Sequence, residues 1–236
     1  MKKFDLHIHS TCSKHSLWGI DGIHAPEAIV EMAIRIGLDG IAITDHNSVK
    51  GSQRAIQYVN ERNLSVLVIP GAEIRSSAGD ILALGILEDI KPKLSIADTI
   101  DRIKEQGGIA IAAHPYKYNT KIGLRLPDPA VNSQFNAIEV FNSNVRKGAN
   151  EKALQLAEQL RIPGVAGSDA HCIENIGRGI TGLETDDLSV DAVLNAIKQN
   201  KIQLFCNYAT LRSLMSLYGR KFVNLLKRAV NKGVKS

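Results

Sequence analysis

The chain has 236 residues, of which 44% are hydrophobic and 22% charged, and its formal net charge is +5. This length can bury one large apolar core, whereas no segment approaches the roughly 18 uninterrupted apolar residues of a membrane span. The N-terminus becomes charged too early for a signal peptide, and three cysteines without a close pair are typical of a reducing compartment. These features predict a cytoplasmic protein.

Apolar, strand-like runs alternate with helical patterns along the chain. Pro26 suits a first helical turn, Gly37 a C-terminal cap and Ser189 an N-cap. The spacing of apolar residues predicts helices at residues 26–37, 49–62, 96–106, 149–160, 190–199 and 211–230. It predicts strands in the runs 4–9, 41–46, 66–73, 109–114 and 165–171, and at 81–85, 137–141, 179–183 and 202–205.

This alternation predicts a single-domain α/β fold with a mostly parallel sheet wrapped by helices. The last predicted helix is amphipathic and basic, because all seven charged residues after position 210 are Lys or Arg. A helix packed on the domain with a solvated basic face is the ordinary explanation. A helix that faces RNA or a membrane surface is the alternative.

Six of the seven histidines lie at or just after the ends of apolar runs. His7 and His9 are two residues apart on one strand, so their side chains point the same way, and Asp169 and His171 repeat this spacing. Ligand sites in α/β sheets gather at the carboxyl ends of strands, so the pattern predicts a metal centre. The six histidines are His7, His9, His15, His46, His114 and His171.

Two further carboxylates occupy comparable positions. Glu73 closes a long apolar run, where a buried carboxylate needs a cation or hydrogen bonds and can bridge two metal ions. Asp45 suits either a carboxylate that orients an imidazole or a cap for the helix that follows it. Both interpretations of Asp45 stay open.

Five short motifs carry a resemblance to a known family. They are Asp5-Leu6-His7-Ile8-His9-Ser10, Thr44-Asp45-His46, Gly71-Ala72-Glu73, Ala113-His114-Pro115 and Gly167-Ser168-Asp169-Ala170-His171. Over roughly residues 1–184 this ordered set resembles the PHP (polymerase and histidinol phosphatase) family.

The resemblance implies a distorted, TIM-like (β/α)7 barrel and a stand-alone metal-dependent phosphoesterase. It implies a barrel domain at residues 1–208 and a C-terminal helical extension, residues 209–236, packed on the same domain.

The resemblance also implies eight ligands for two or three divalent metal ions. The first ion is expected on His7, His9, Glu73 and Asp169, the second on Glu73 and His114, and the third on His15, His46 and His171. Nitrogen and oxygen donors suit Mn, Zn or Fe.

The chain departs from the family pattern at one ligand. Many three-metal members have a further histidine between the bridging glutamate and the His-Pro motif, whereas none occurs between Ile74 and Ala113. The second site is therefore expected to bind metal weakly, or to be completed by water, substrate phosphate or Asp80.

The expected reaction is in-line attack of a metal-activated hydroxide on phosphorus. Arg178 and Asp45 are the expected catalytic side chains beside the metal ligands. The planar fork of Arg178 suits bidentate contact with phosphate, although a surface arginine in a glycine-rich loop is the alternative. Lys14 and Lys117 are lesser candidates, and Asn142 is expected to line the same rim.

The expected substrate is a small phosphomonoester, a nucleotide or an oligonucleotide, with nucleic acid reached through the basic C-terminal helix. Two other classes remain open. A metal-dependent amidohydrolase also uses a His-x-His motif on its first strand, and a non-catalytic RNA-binding barrel subunit would be expected to lose metal ligands. The sequence leaves the oligomeric state open.

Overall fold

The computed structural model describes residues 1–13, 21–117 and 133–210, together with Met215 and Gly219. Its strands are β1 (Lys2–Ile8), β2 (Gly40–Ile43), β3 (Leu67–Ile69), β4 (Gly71–Ser76), β5 (Gly79–Leu84), β6 (Ile109–Ala112), β7 (Ala137–Asn142), β8 (Gly164–Gly167), β9 (Gly179–Leu183) and β10 (Ile202–Cys206). Its α-helices are α1 (Pro26–Arg35), α2 (Lys50–Arg62), α3 (Ile96–Glu105), α4 (Lys147–Leu160) and α5 (Val190–Lys198), and a 3₁₀ helix spans Ile173–Asn175. The predicted α/β class is confirmed.

Five of the predicted helices are present, and their ends lie within two residues of the predicted ones. Pro26 begins α1, and Gly37 beyond its end adopts a left-handed φ of 74°, as a C-terminal cap does. The Ser189 hydroxyl caps α5 by accepting a hydrogen bond from the Ala192 N–H. The sixth predicted helix, at 211–230, lies outside the described residues except for two positions. None of the described helices has the length and apolarity needed to cross a membrane.

The strands form two mixed sheets of five strands each, in the orders β10-β9-β1-β2-β3 and β4-β5-β6-β7-β8. The expectation of a mostly parallel sheet is wrong, because half of the strand pairs are antiparallel. One cause is the two-residue turn between β4 and β5, which forms a hairpin, since parallel strands need a long crossover.

Two isolated bridges and one continuous segment of chain link the two sheets. Isolated parallel bridges join Ile8 to Ala170 and His46 to Glu73. Pro70 separates β3, which pairs with β2, from β4, which pairs with β5, so one extended segment contributes to both sheets. In the described residues the strands thus form two bridged sheets, without one continuous hydrogen-bonded barrel.

The strands are covered on both faces. Every residue of β2 and of β6 is buried, as expected for strands that are covered on both faces. Ile29 of α1 packs with Ile41 and Ile43 of β2, and Ile100 of α3 packs in a second apolar cluster with Ile81. The polar residues that follow the strands therefore project from a closely packed base.

Gly167 ends β8 at a point where three strands approach closely. A Cβ at this position would lie 2.6 Å from the Cβ of His7 and 2.5 Å from Oε1 of Glu139. These separations are too short for non-bonded atoms, so the approach of β1, β7 and β8 depends on glycine at this position.

We expect Gly167→Ala to lower the free energy of unfolding by about 1–3 kcal/mol, because the added methyl group must displace His7 or Glu139. Urea denaturation measures this. Gly148→Ala on α4 is the matched control, since a Cβ there meets nothing within 4 Å. Equal unfolding free energies for the two variants would contradict the steric argument.

Candidate metal centre

The predicted ligands within the described residues converge at the ends of the strands. His7 lies on β1 and His9 just after it, while Glu73 lies on β4. The others follow β2, β6 and β8, and all are buried except the partly exposed His171. The ligands that the structure brings together are His7, His9, His46, Glu73, His114, Asp169 and His171. His15 and Lys14 lie outside the described residues, so the structure does not test them.

The centre of the cluster contains two imidazoles and two carboxylates. The Nε2 atoms of His7 and His9 lie 3.2 Å apart. The His9 Nε2 atom lies 3.3 Å from Glu73 Oε2 and 3.2 Å from Asp169 Oδ1. The His7 Nε2 atom lies 3.5 Å from each of the same two oxygens. One cation could therefore contact all four side chains.

Glu73 divides its two oxygens between neighbouring groups of ligands. Its Oε1 lies 3.0 Å from His114 Nε2, whereas its Oε2 lies 3.0 Å from His46 Nδ1 and also faces the ring of His9. This geometry agrees with the bridging role that the sequence implies for Glu73.

Asp21 belongs to the cluster and was missed by the sequence analysis. Its Oδ1 lies 3.1 Å from His171 Nε2, and its Oδ2 lies 3.4 Å from His9 Nδ1. The other ring nitrogen of His171, Nδ1, lies 2.8 Å from the Asp169 carbonyl oxygen, to which it can donate. The only signal in the sequence was an Asp-Gly pair in the loop after β1, which turns commonly contain.

Glu139 is the second missed residue, and it lies in the middle of β7. Its Oε1 lies 2.9 Å from Nδ1 of His7, and its Oε2 accepts a hydrogen bond of 2.8 Å from the His114 N–H. His114 has an unusual φ of 24°, so this hydrogen bond also supports a strained backbone. A charged residue inside an apolar run was the available signal.

Asp80 and Lys117 lie beside the ligands. Asp80 forms a candidate metal group with Glu73 and His114, and its carboxylate also contacts the guanidinium of Arg75. The Lys117 ammonium contacts Asp169 Oδ2. Two side-chain cations thus reach carboxylates of the cluster.

Asp45 lies beneath the segment that follows His9. It accepts hydrogen bonds of 2.5 Å from the Ser10 N–H and 2.6 Å from the Ser10 hydroxyl. A Cβ at Gly51 would clash with this carboxylate, so α2 needs glycine where it passes Asp45. These contacts fix the chain beside His9 and do not test a catalytic role.

Arg178 and Asn142 have different surroundings. The Arg178 guanidinium donates to the carbonyl oxygen of Tyr208 at 3.3 Å, which leaves its proposed contact with phosphate a prediction. Asn142 donates to Glu139 Oε2 at 3.1 Å and to Asp169 Oδ2 at 3.3 Å. Asn142 is fully buried and lies between these two carboxylates.

The pKa values indicate an excess of negative charge. Burial alone lowers the pKa of His7, but the carboxylates around it, led by Glu139, raise it well above 6.5. Burial opposes protonation of His9 as well, and neighbouring carboxylates, led by Asp21, raise its pKa to about 10. Burial lowers the pKa of His46 to about 3. A site that attracts protons to buried rings can attract a divalent cation instead.

The donor atoms fit a metal centre. If Nδ1 of His7 donates to Glu139, its Nε2 presents a lone pair toward the ring of His9. Asp169 Oδ1 is buried and accepts no hydrogen bond from the described residues. Facing lone pairs without a donor repel each other, and a cation between them removes the repulsion.

Comparisons with known proteins identify relatives of this chain. A family model described as PHP-associated matches residues 147–202. The chain is 38% identical over 150 residues to the uncharacterized protein MJ1587 of Methanocaldococcus jannaschii, covering 62% of this chain and 85% of that protein. It is 35% identical over 71 residues to the 5′-3′ exoribonuclease Rnm of Escherichia coli, covering 30% of this chain and 22% of the exoribonuclease.

A solved structure from Bacteroides vulgatus shares the fold. It is a two-domain protein containing a predicted PHP-like metal-dependent phosphoesterase, and it superposes with a TM-score of 0.71 at 20% identity. The match covers 87% of this chain and 65% of that chain.

We expect Glu139→Gln to weaken binding of Mn²⁺ or Zn²⁺ by about 10- to 100-fold, because a carboxylate behind a ligating imidazole fixes the ring and its tautomer. Competition with a chelating dye measures the affinity. Glu151→Gln at an exposed position of α4 is the control. Unchanged affinity in Glu139→Gln would show that His7 does not need this partner.

Proposed function

The chain belongs to the PHP family, and we propose that it is a hydrolase that cleaves phosphoester bonds with the help of bound metal ions. The convergence of Glu73 on four imidazoles carries the proposal, since its two oxygens lie near His7, His9, His46 and His114. A bridging carboxylate among imidazoles suits a polynuclear centre.

We propose two or three divalent ions, of Mn, Zn or Fe. His7, His9, Glu73 and Asp169 would hold the first, and Glu73, His114 and Asp80 the second. The third would be held by His46, His171 and the newly found Asp21, together with the sequence-predicted His15. When bound, such ions activate water as a nucleophile and balance negative charge on phosphoryl oxygens.

The protein's own side chains orient the ligands and supply further positive charge. Glu139 and the Asp169 carbonyl each hold one nitrogen of a ligand imidazole, which directs the other nitrogen into the cluster. Lys117, half-buried on Asp169, is well situated to stabilise charge that develops on a phosphoryl oxygen. Arg178 would be a second phosphate-binding residue.

The proposed substrate is a phosphomonoester, a nucleotide or a short oligonucleotide. The similarity to an exoribonuclease covers less than a quarter of that enzyme, and the basic residues after position 210 are compatible with a polyanion. The salt dependence of turnover separates these cases, since binding along several phosphates weakens steeply with salt.

The central experiment combines metal analysis with a screen of phosphomonoesters, phosphodiesters and 5′-phosphorylated oligonucleotides. We expect His9→Ala and Asp169→Ala to abolish phosphate release and lower metal content while the fold is retained by circular dichroism. Asp101→Ala, an exposed change on α3, serves as control. Near-normal turnover in either ligand variant, or amidase turnover without phosphate release, would refute the proposal.

Replacing either of two positively charged side chains, Lys117 or Arg178, should slow the reaction. We expect Lys117→Met and Arg178→Ala each to lower kcat/KM by at least about tenfold, the scale of one lost charged contact in the transition state. The exposed Lys152→Met on α4 is the matched control. Metal content is measured alongside, and an unchanged kcat/KM for a fully loaded variant would exclude that residue from phosphate binding.

A further inference from the structure

The Arg75–Asp80 pair lies at the proposed second metal subsite. Arg75 on β4 and Asp80 on β5 are directly opposite each other in the hairpin register. Asp80 is 8% exposed, and the Arg75 guanidinium contacts one of its oxygens. The same carboxylate lies in a group with Glu73 and His114 whose ligand atoms are within 4.8 Å of one another. The Asp80 carboxylate can therefore contact both the Arg75 guanidinium and a metal ion.

The second subsite differs from the first in its donor atoms. The first contains two imidazoles and two carboxylates, whereas the group of Glu73, Asp80 and His114 contains one imidazole and two carboxylates. Carboxylate oxygens favour harder ions such as Mn²⁺, and imidazole nitrogen favours Zn²⁺. The two subsites should therefore rank metals differently.

The second subsite also carries an internal competitor. A guanidinium stays protonated at all relevant pH values, so Arg75 holds Asp80 whenever no metal does. Lys117 adds positive charge to the surroundings of the same group, since its ammonium reaches Asp169. An ion entering the subsite must share Asp80 with Arg75 and must approach these charges.

We infer that the Arg75–Asp80 pair makes the second subsite a separate, weaker and exchangeable metal site with a relative preference for Mn²⁺ over Zn²⁺. This inference rests on the proposed function only in requiring that the first subsite binds metal. Metal then binds in at least two resolved steps, and the pair sets the affinity of the second step.

The test is a titration of the metal-free full chain with Mn²⁺ and with Zn²⁺, without substrate. Calorimetry gives the affinity of each step, and the paramagnetic resonance of Mn²⁺ reports a coupled pair of ions. In the wild type we expect at least two steps, with the second subsite filled after the first. Arg75→Gln should tighten the second step about tenfold, and Asp80→Asn should weaken it about 10- to 100-fold. Asp80→His should shift the second step toward Zn²⁺.

Two comparisons keep the outcome decisive. Arg102→Gln is the matched control, because Arg102 forms an exposed pair with Glu105 on α3. Arg75→Gln leaves the buried Asp80 carboxylate without its partner and could fail to fold for that reason. Asp80→Asn removes this carboxylate and therefore gives a result in either case. Tight first-step binding with an unchanged second step in Asp80→Asn would overturn the inference alone. Absence of metal binding in the wild type would overturn the proposed function as well.

Discussion

Buried negative charge is the constraint on which the rest of this structure depends. Glu73, Glu139 and Asp169 are almost fully buried. Glu139 contacts the ring of His7, and Glu73 and Asp169 lie close to the ring of His9. Isolated buried carboxylates would be costly, so imidazoles, the Lys117 ammonium and backbone N–H groups surround them. The raised pKa values of His7 and His9 are the direct expression of this excess. The fold therefore holds these carboxylates and imidazoles in position for a cation before any ion binds.

The architecture serves that constraint by bringing strand ends closer than ordinary side chains permit. Glycine at position 167 lets β1, β7 and β8 converge, and the bridge between His46 and Glu73 aligns the second sheet with the first. His114 and Asp169 both adopt positive φ angles, a conformation that non-glycine residues adopt only where their surroundings hold them. Such backbone geometry at two ligands agrees with a site that is organised by the fold.

Much of this arrangement was predictable because it depends on local pattern. The helices followed from apolar periodicity and caps, and the ligands at strand ends followed from the carboxyl-end rule for α/β sheets. Asp21 and Glu139 were missed because their local signals, an Asp-Gly pair and one charge inside an apolar run, do not identify their partners in the fold. The partner of Glu139, for example, is His7, 132 residues away in sequence. The prediction of a mostly parallel sheet was wrong for a related reason. Strand direction in the β4–β5 hairpin depends on a two-residue turn that the apolar pattern does not reveal.

The ligands come from both sheets, with His7 on β1 of one and Glu73 on β4 of the other. An ion bound between them would act as a cross-link that closes long loops of the chain, much as a disulfide does. Because such an ion binds the native state and not the unfolded one, its binding free energy adds to folding stability through mass action. Metal availability would then determine how long the molecule persists as well as whether it can react.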